Sequence, residues 1–154
     1  MEEQLHKELA VKLFNDTWDL MDKEERTEEE NSRMIHTAHA SRYHWGQVGT
    51  PLQFARGEWQ ISRVYALVKH GEAAKYHAKL SLQFCEEFDL GPFDTGFAHE
   101  ALARAHKLLG ETDLSYTHLD MAKGFAELVE KEGDRKWLID NIETVTSLSI
   151  PVWS

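Results

Sequence analysis

The side chains with the most chemistry to offer fall into two groups. Arg56, Trp59 and Arg63 stand at i, i+3 and i+7, and Phe97, Glu100 and Arg104 repeat that spacing. On a helix each trio shares one face. An arginine grips a carboxylate through two parallel hydrogen bonds, and an indole offers a flat surface for stacking. Such a set suits a peptide or a small acidic ligand. The same residues also have an internal reading. Arg63 and Arg104 have Glu58, Glu100 and Asp22 as prospective ion-pair partners, and Trp18 and Trp59 are large enough to serve as core.

The histidines form the second group, nine in all. His36, His39 and Tyr43 fall on one helical face. Two histidines one turn apart are candidate metal ligands when a third comes from another helix, here Glu58, Glu100 or His99. That is the basis for an alternative reading, a small metal-dependent hydrolase-like enzyme in a helical bundle. The His-Glu-x-x-His spacing is absent, as are a phosphate-binding glycine loop, a Gly-x-Ser-x-Gly elbow and a dinucleotide fingerprint. Cys85 lies on an apolar stripe with Leu82, Phe84 and Phe88 and reads as a buried small hydrophobe. The expectation is therefore a chain without a cofactor and, more simply, without an enzymatic activity.

These groups need a scaffold, and the composition supplies one. The 154 residues are 42% hydrophobic and 29% charged, with three prolines and nine glycines. That is the make-up of one globular domain rich in uninterrupted helix. Seventeen basic against twenty-seven acidic residues give a net charge of -10, which repels nucleic acid and anionic membranes. A single cysteine excludes an internal disulfide. The acidic N-terminus carries no apolar signal core, no apolar run approaches the roughly 20 residues of a membrane span, and a reducing cytoplasm is the expected location.

The chain reads as about seven helices. The first covers residues 2–22. Thr27 and Glu30 make a capping box for the second, which stops at Gly49. Thr50, Pro51 and Gln53 open the third, which ends near Gly71. The fourth carries Ala74, Ala78, Ser81 and Cys85 on one stripe and breaks at 89–92. Asp94 is the expected cap of a fifth helix that ends at Gly110. The sixth spans 112–129 and the seventh 134–147. No stretch alternates with period two for long enough to be a strand.

A shift of 41 residues superimposes His36, His77 and His118, then Ala40, Ser81 and Ala122, then Leu20, Ile61 and Leu102; it also sets Trp18 on Trp59 and Arg63 on Arg104. Each unit is a helix, a turn and a second helix, and one such pair cannot bury its apolar face alone, so the pairs must stack. The repeats cover about 5–46, 51–88 and 94–130, followed by a capping helix at 134–147, all in one domain spanning 1–154.

Leu102, Ala103 and His106, then Gly110, then Ser115, Leu119 and Ala122 resemble the tetratricopeptide pattern, and Ile61, Ser62 and Tyr65 with Ala74, Ala78 and Ser81 resemble it too. The period departs from the usual 34 residues. The stretch His39 to Trp45 with Arg56 to Trp59 is similar to bacterial proteins of unassigned role. The resemblance implies stacked antiparallel helix pairs whose leading helices line a concave groove. It would put Trp18, Arg56, Trp59, Arg63, Glu100, Arg104 and Lys107 in that groove. The function it implies is a binding or scaffold module for a peptide, a protein or a small acidic ligand. A third reading is a homo-oligomeric assembly domain, a homodimer for example, with the apolar tail Ile150 to Trp153 docking on a neighbour.

Overall fold

In the computed structural model, described over residues 1–148, seven helices follow one another with no strand among the described residues. They are α1 (Glu3–Met21), α2 (Glu28–Val48), α3 (Pro51–Leu67), α4 (Gly71–Glu87), α5 (Pro92–Leu108), α6 (Thr112–Glu127) and α7 (Glu132–Thr146). The tail expected to dock on a neighbour lies outside the described residues.

Local chemistry sets the starts. The Glu30 amide donates to Thr27 Oγ1 at 3.1 Å while the Thr27 amide donates to Glu30 Oε1 at 3.0 Å, a reciprocal box that opens α2. The Thr50 amide donates to Gln53 Oε1 at 2.8 Å and Pro51 occupies the first turn of α3. The fifth helix corrects the expectation of an Asp94 cap. Pro92, with its φ already helical, starts it behind Gly91 at φ 95. Asp94 thus stands inside the first turn with its carboxylate free for another partner.

Adjacent helices pack in pairs, α1 with α2, α3 with α4 and α5 with α6. The leading helices α1, α3, α5 and α7 contact one another in series, and each second helix packs on the leading helix that follows it. α3 and α5 are therefore surrounded: α5 is buried without a break from Thr95 to His106. Small residues permit the close approach of each pair. Ser62 Oγ donates to Ala74 O, Ser81 Oγ to Ala55 O and Ser115 Oγ to Ala103 O, each at 2.8 Å. A Cβ on Gly96 would come within 2.6 Å of Leu138 Cδ2, so the glycine is what lets α7 sit down on α5.

The 41-residue register runs on into α7. Leu138, Asn141 and Val145 follow Phe97, Glu100 and Arg104 at that interval, and all six are buried. The apolar Ile61 and Leu102, by contrast, are followed by exposed Glu143, and buried Glu58 and His99 by half-buried Asp140. α7 thus keeps the face that meets α5 and carries Asp140 and Glu143 at the register positions that α3 and α5 bury.

Candidate functional site

Positions 18, 59, 100 and 141 form a ladder across all four leading helices. Trp18 and Trp59 stack with centroids 5.8 Å apart. Trp59 Nε1 donates to Glu100 Oε1 at 3.4 Å. Glu100, wholly buried, takes Arg104 Nε on Oε2 at 3.0 Å, with Arg63 Nη1 3.6 Å from the same oxygen. Arg63 Nη2 reaches Asn141 Oδ1 at 3.1 Å, and Arg104 Nη2 donates to Thr144 Oγ1 at 2.6 Å and Asn141 O at 3.3 Å. Lys107 Nζ donates to the carbonyls of Val145 and Thr146 at 2.8 and 2.9 Å, holding the C-terminal end of α7.

Arg63, Glu100 and Arg104 thus converge, but on each other and on α7. Arg63 lies over the Trp59 ring, 5.7 Å from its centroid. Burial pulls its guanidinium down to about 10, with Glu100 opposing the shift and Arg104 adding to it. Asp22 is exposed at the end of α1, and Glu58 turns to the opposite face of α3.

One turn earlier along the same helices the ladder opens. A cleft of about 210 Å³ lies between α1, α3, α5 and α7, walled by Phe14, Trp18, Trp59, Phe93, Phe97 and Trp137. The Phe97 ring meets Trp59 edge-on at 5.5 Å and Phe93 at 5.0 Å. Arg56 stands at the rim, half exposed, with Nε 2.8 Å from Asp94 Oδ1 and Nη2 3.2 Å from Oδ2. That fork holds Arg56 protonated through the Asp94 hydrogen bonds and leaves Nη1 directed elsewhere. Trp137, 48% exposed, is the most open of the aromatic walls. Trp18, Arg56 and Trp59 are the groove residues that the cleft contains; Arg63, Glu100, Arg104 and Lys107 stand outside it. Phe14, Phe93 and Trp137 are its further walls. Trp137 carried no sequence signal, since at the 41-residue interval it follows Ala55 and Gly96, both small.

The histidines serve a different boundary. His77 Nδ1 is 2.7 Å from Glu58 Oε1, and His118 Nδ1 is 2.9 Å from His99 Nδ1. In both pairs a second-helix histidine meets the leading-helix residue 19 positions before it. Glu58 also takes Arg42 Nε at 2.8 Å. Of the candidate metal ligands, His39 is 2.9 Å from Tyr65 Oη and edge-on to His77, and His36 is exposed. Among the described residues no three His, Cys, Asp or Glu side chains are placed to share a metal ion. Cys85 is buried, and burial pushes its thiol up to about 12. Among the described residues no helix is long and apolar enough to cross a membrane.

No family model, curated protein or solved structure matches this chain.

Proposed function

We propose that the protein is a non-enzymatic binding module of tetratricopeptide-like kind, whose aromatic cleft takes the apolar side chain of a peptide or of a small acidic ligand. One observation carries the reading: six aromatic side chains wall a cavity left open between packed helices, where the hydrophobic effect favours filling it. An open concave apolar site with a few polar groups is the usual form of a ligand pocket. At the rim Arg56 is paired with Asp94, which also lines the cleft, and Nη1 is the donor left to meet a carboxylate. Arg63, Glu100 and Arg104 act beneath this site, holding Trp59 and α7 in place.

Calorimetric titration with short acetylated, amidated peptides tests it. Peptides carrying a central Phe or Leu flanked by Asp are expected to bind. The same peptides flanked by Lys are expected to bind at least tenfold more weakly, and Trp137→Ala to abolish the heat without changing the circular dichroism. Equal, Trp137-independent binding of both sets, or none by either, would refute the reading.

A further inference from the structure

The second helices leave a surface of their own. α4 and α6 both pack on α5 but, among the described residues, not on each other. The gap between them is a shallow groove of about 410 Å³, lined by Glu86 of α4, His99 of α5 and Met121, Gly124, Phe125 and Leu128 of α6. The corresponding gap one repeat earlier, between α2 and α4, is closed. There Arg42 donates from Nε to Glu58 at 2.8 Å and lays its guanidinium over the rings of Phe54 and Phe84, 4.6 and 5.7 Å from their centroids. Shifted by 41 residues, Phe84 becomes Phe125 and Glu58 becomes His99, but Arg42 becomes Gln83, which is exposed. The chain keeps the aromatic floor, with His99 stacked 5.6 Å from Phe125, and omits the cation that would cover it.

α6 also turns more apolar surface outward than its own packing uses. Leu114, Met121 and Leu128 stand seven residues apart and are 47%, 46% and 64% exposed. That spacing puts them on one stripe of the helix. The equivalent positions on α4 are Ala73, Leu80 and Glu87, so the stripe is not a copy of the repeat. Gly124 lies beside it. A Cβ there would meet nothing within 4 Å, so internal packing does not call for glycine, and a glycine inside a helix weakens it relative to alanine. What Gly124 provides is a notch next to Met121 and Phe125 that a second chain can enter closely.

Charge selects the partner. Exposed Glu86 and Glu87 stand on α4 and exposed Asp120 and Glu127 on α6, with Lys79 and Lys123 as the opposing cations. A second copy of this chain, at net charge -10, would bring carboxylates to carboxylates, whereas a basic segment meets complementary charge. We infer that the groove between α4 and α6 docks a basic amphipathic helix of a partner protein. Its apolar side chains lie along Leu114, Met121 and Leu128. One of its arginines or lysines sits over Phe125 beside Glu86, the role that Arg42 fills in the preceding repeat. The aromatic cleft belongs to the leading helices, so neither reading rests on the other.

Fluorescence anisotropy at about 150 mM salt tests the inference with a labelled, acetylated and amidated peptide of about 18 residues, leucine at heptad positions a and d and lysine or arginine elsewhere. Saturable binding is expected. A peptide of the same composition with its leucines scattered around the helix is expected to bind at least tenfold more weakly, as is one with glutamate in place of every lysine and arginine. Leu128→Glu changes an exposed side chain and adds negative charge, yet it is expected to weaken binding at least tenfold. Gly124→Ala is expected to raise Tm by about 1–4 °C while lowering affinity at least threefold. Trp137→Ala is expected to leave peptide binding unchanged, which separates this surface from the cleft. No binding, equal binding of the amphipathic and scattered peptides, or binding undiminished by Leu128→Glu would overturn the inference. So would a dimer in light scattering that Leu128→Glu abolishes, because it would put a second copy in the groove.

Discussion

The two ends of one ladder behave differently although the repeat places them equivalently. At positions 18 and 59 the chain carries indoles, which stack and leave an open aromatic cleft beside them. At 100 and 141 it carries a carboxylate and an amide, which draw Arg63 and Arg104 into a buried knot under α7. Indole is satisfied by one hydrogen bond and otherwise prefers contact, so its neighbourhood can stay half open. A buried carboxylate must be paired and fully hydrogen-bonded, so its neighbourhood closes. The same register thus leaves an open aromatic cleft at one end of the row and clasps α7 at the other.

The comparison breaks most sharply at Glu100. Glu100→Ala leaves two guanidiniums beside an empty position, and the expected loss is about 3–5 kcal/mol of folding stability by urea denaturation. A loss below about 1 kcal/mol would mean that the knot is wet and the two ends alike. Trp137→Ala, at the open end, is expected to remove ligand binding while changing stability by no more than about 1 kcal/mol. Arg56→Gln sharpens the distinction further. Its half-exposed pair with Asp94 contributes about 0–1 kcal/mol, so the variant should fold as wild type while losing the preference for acid-flanked peptides in calorimetry.

A separate effect, on folding stability alone, is one of pH. Burial, with the adjacent His118, lowers the pKa of His99 from 6.5 to about 4. The folded protein therefore keeps His99 neutral where the unfolded chain protonates it. Its contribution is complete above about pH 6.5 and declines as the pH falls from 6.5 toward 4, because the unfolded state binds the extra proton. His39 and His118 shift in the same direction, chiefly by burial. Urea midpoints between pH 8 and 4.5 should fall with acid, and His99→Gln should flatten that fall.

The fold was legible because its signals are local or periodic. The Thr27–Glu30 box, Pro51 and the glycine breaks mark helix ends, and the 41-residue shift marks the pairs. The start of α5 was misread because Asp94 has the side chain of a cap, while Pro92 two residues earlier already fixes the helical turn. The candidate site was legible in part. Helical spacing put Arg56, Trp59 and Arg63 on one face, but a face spans more than one turn, and the turn decides the neighbours. Arg56 meets Asp94 across a helix pair, and Arg63 meets Asn141 from a helix 78 residues away. Pairings of that kind depend on how α5 seats against α3 and α7 against α5, which no local pattern encodes. Trp137 lay in the same blind spot, a residue of the terminal helix that becomes a wall only after docking.

The most direct test follows the tryptophan indole N–H signals by nuclear magnetic resonance during titration with 4-phenylbutyrate, with 4-phenylbutylamine as the cationic counterpart. The five tryptophans are Trp18, Trp45, Trp59, Trp137 and Trp153. The cleft account predicts saturable shifts at Trp18, Trp59 and Trp137 with the acid, and weaker ones with the amine. An acid that moves none of these three signals, or moves only Trp45, would contradict it.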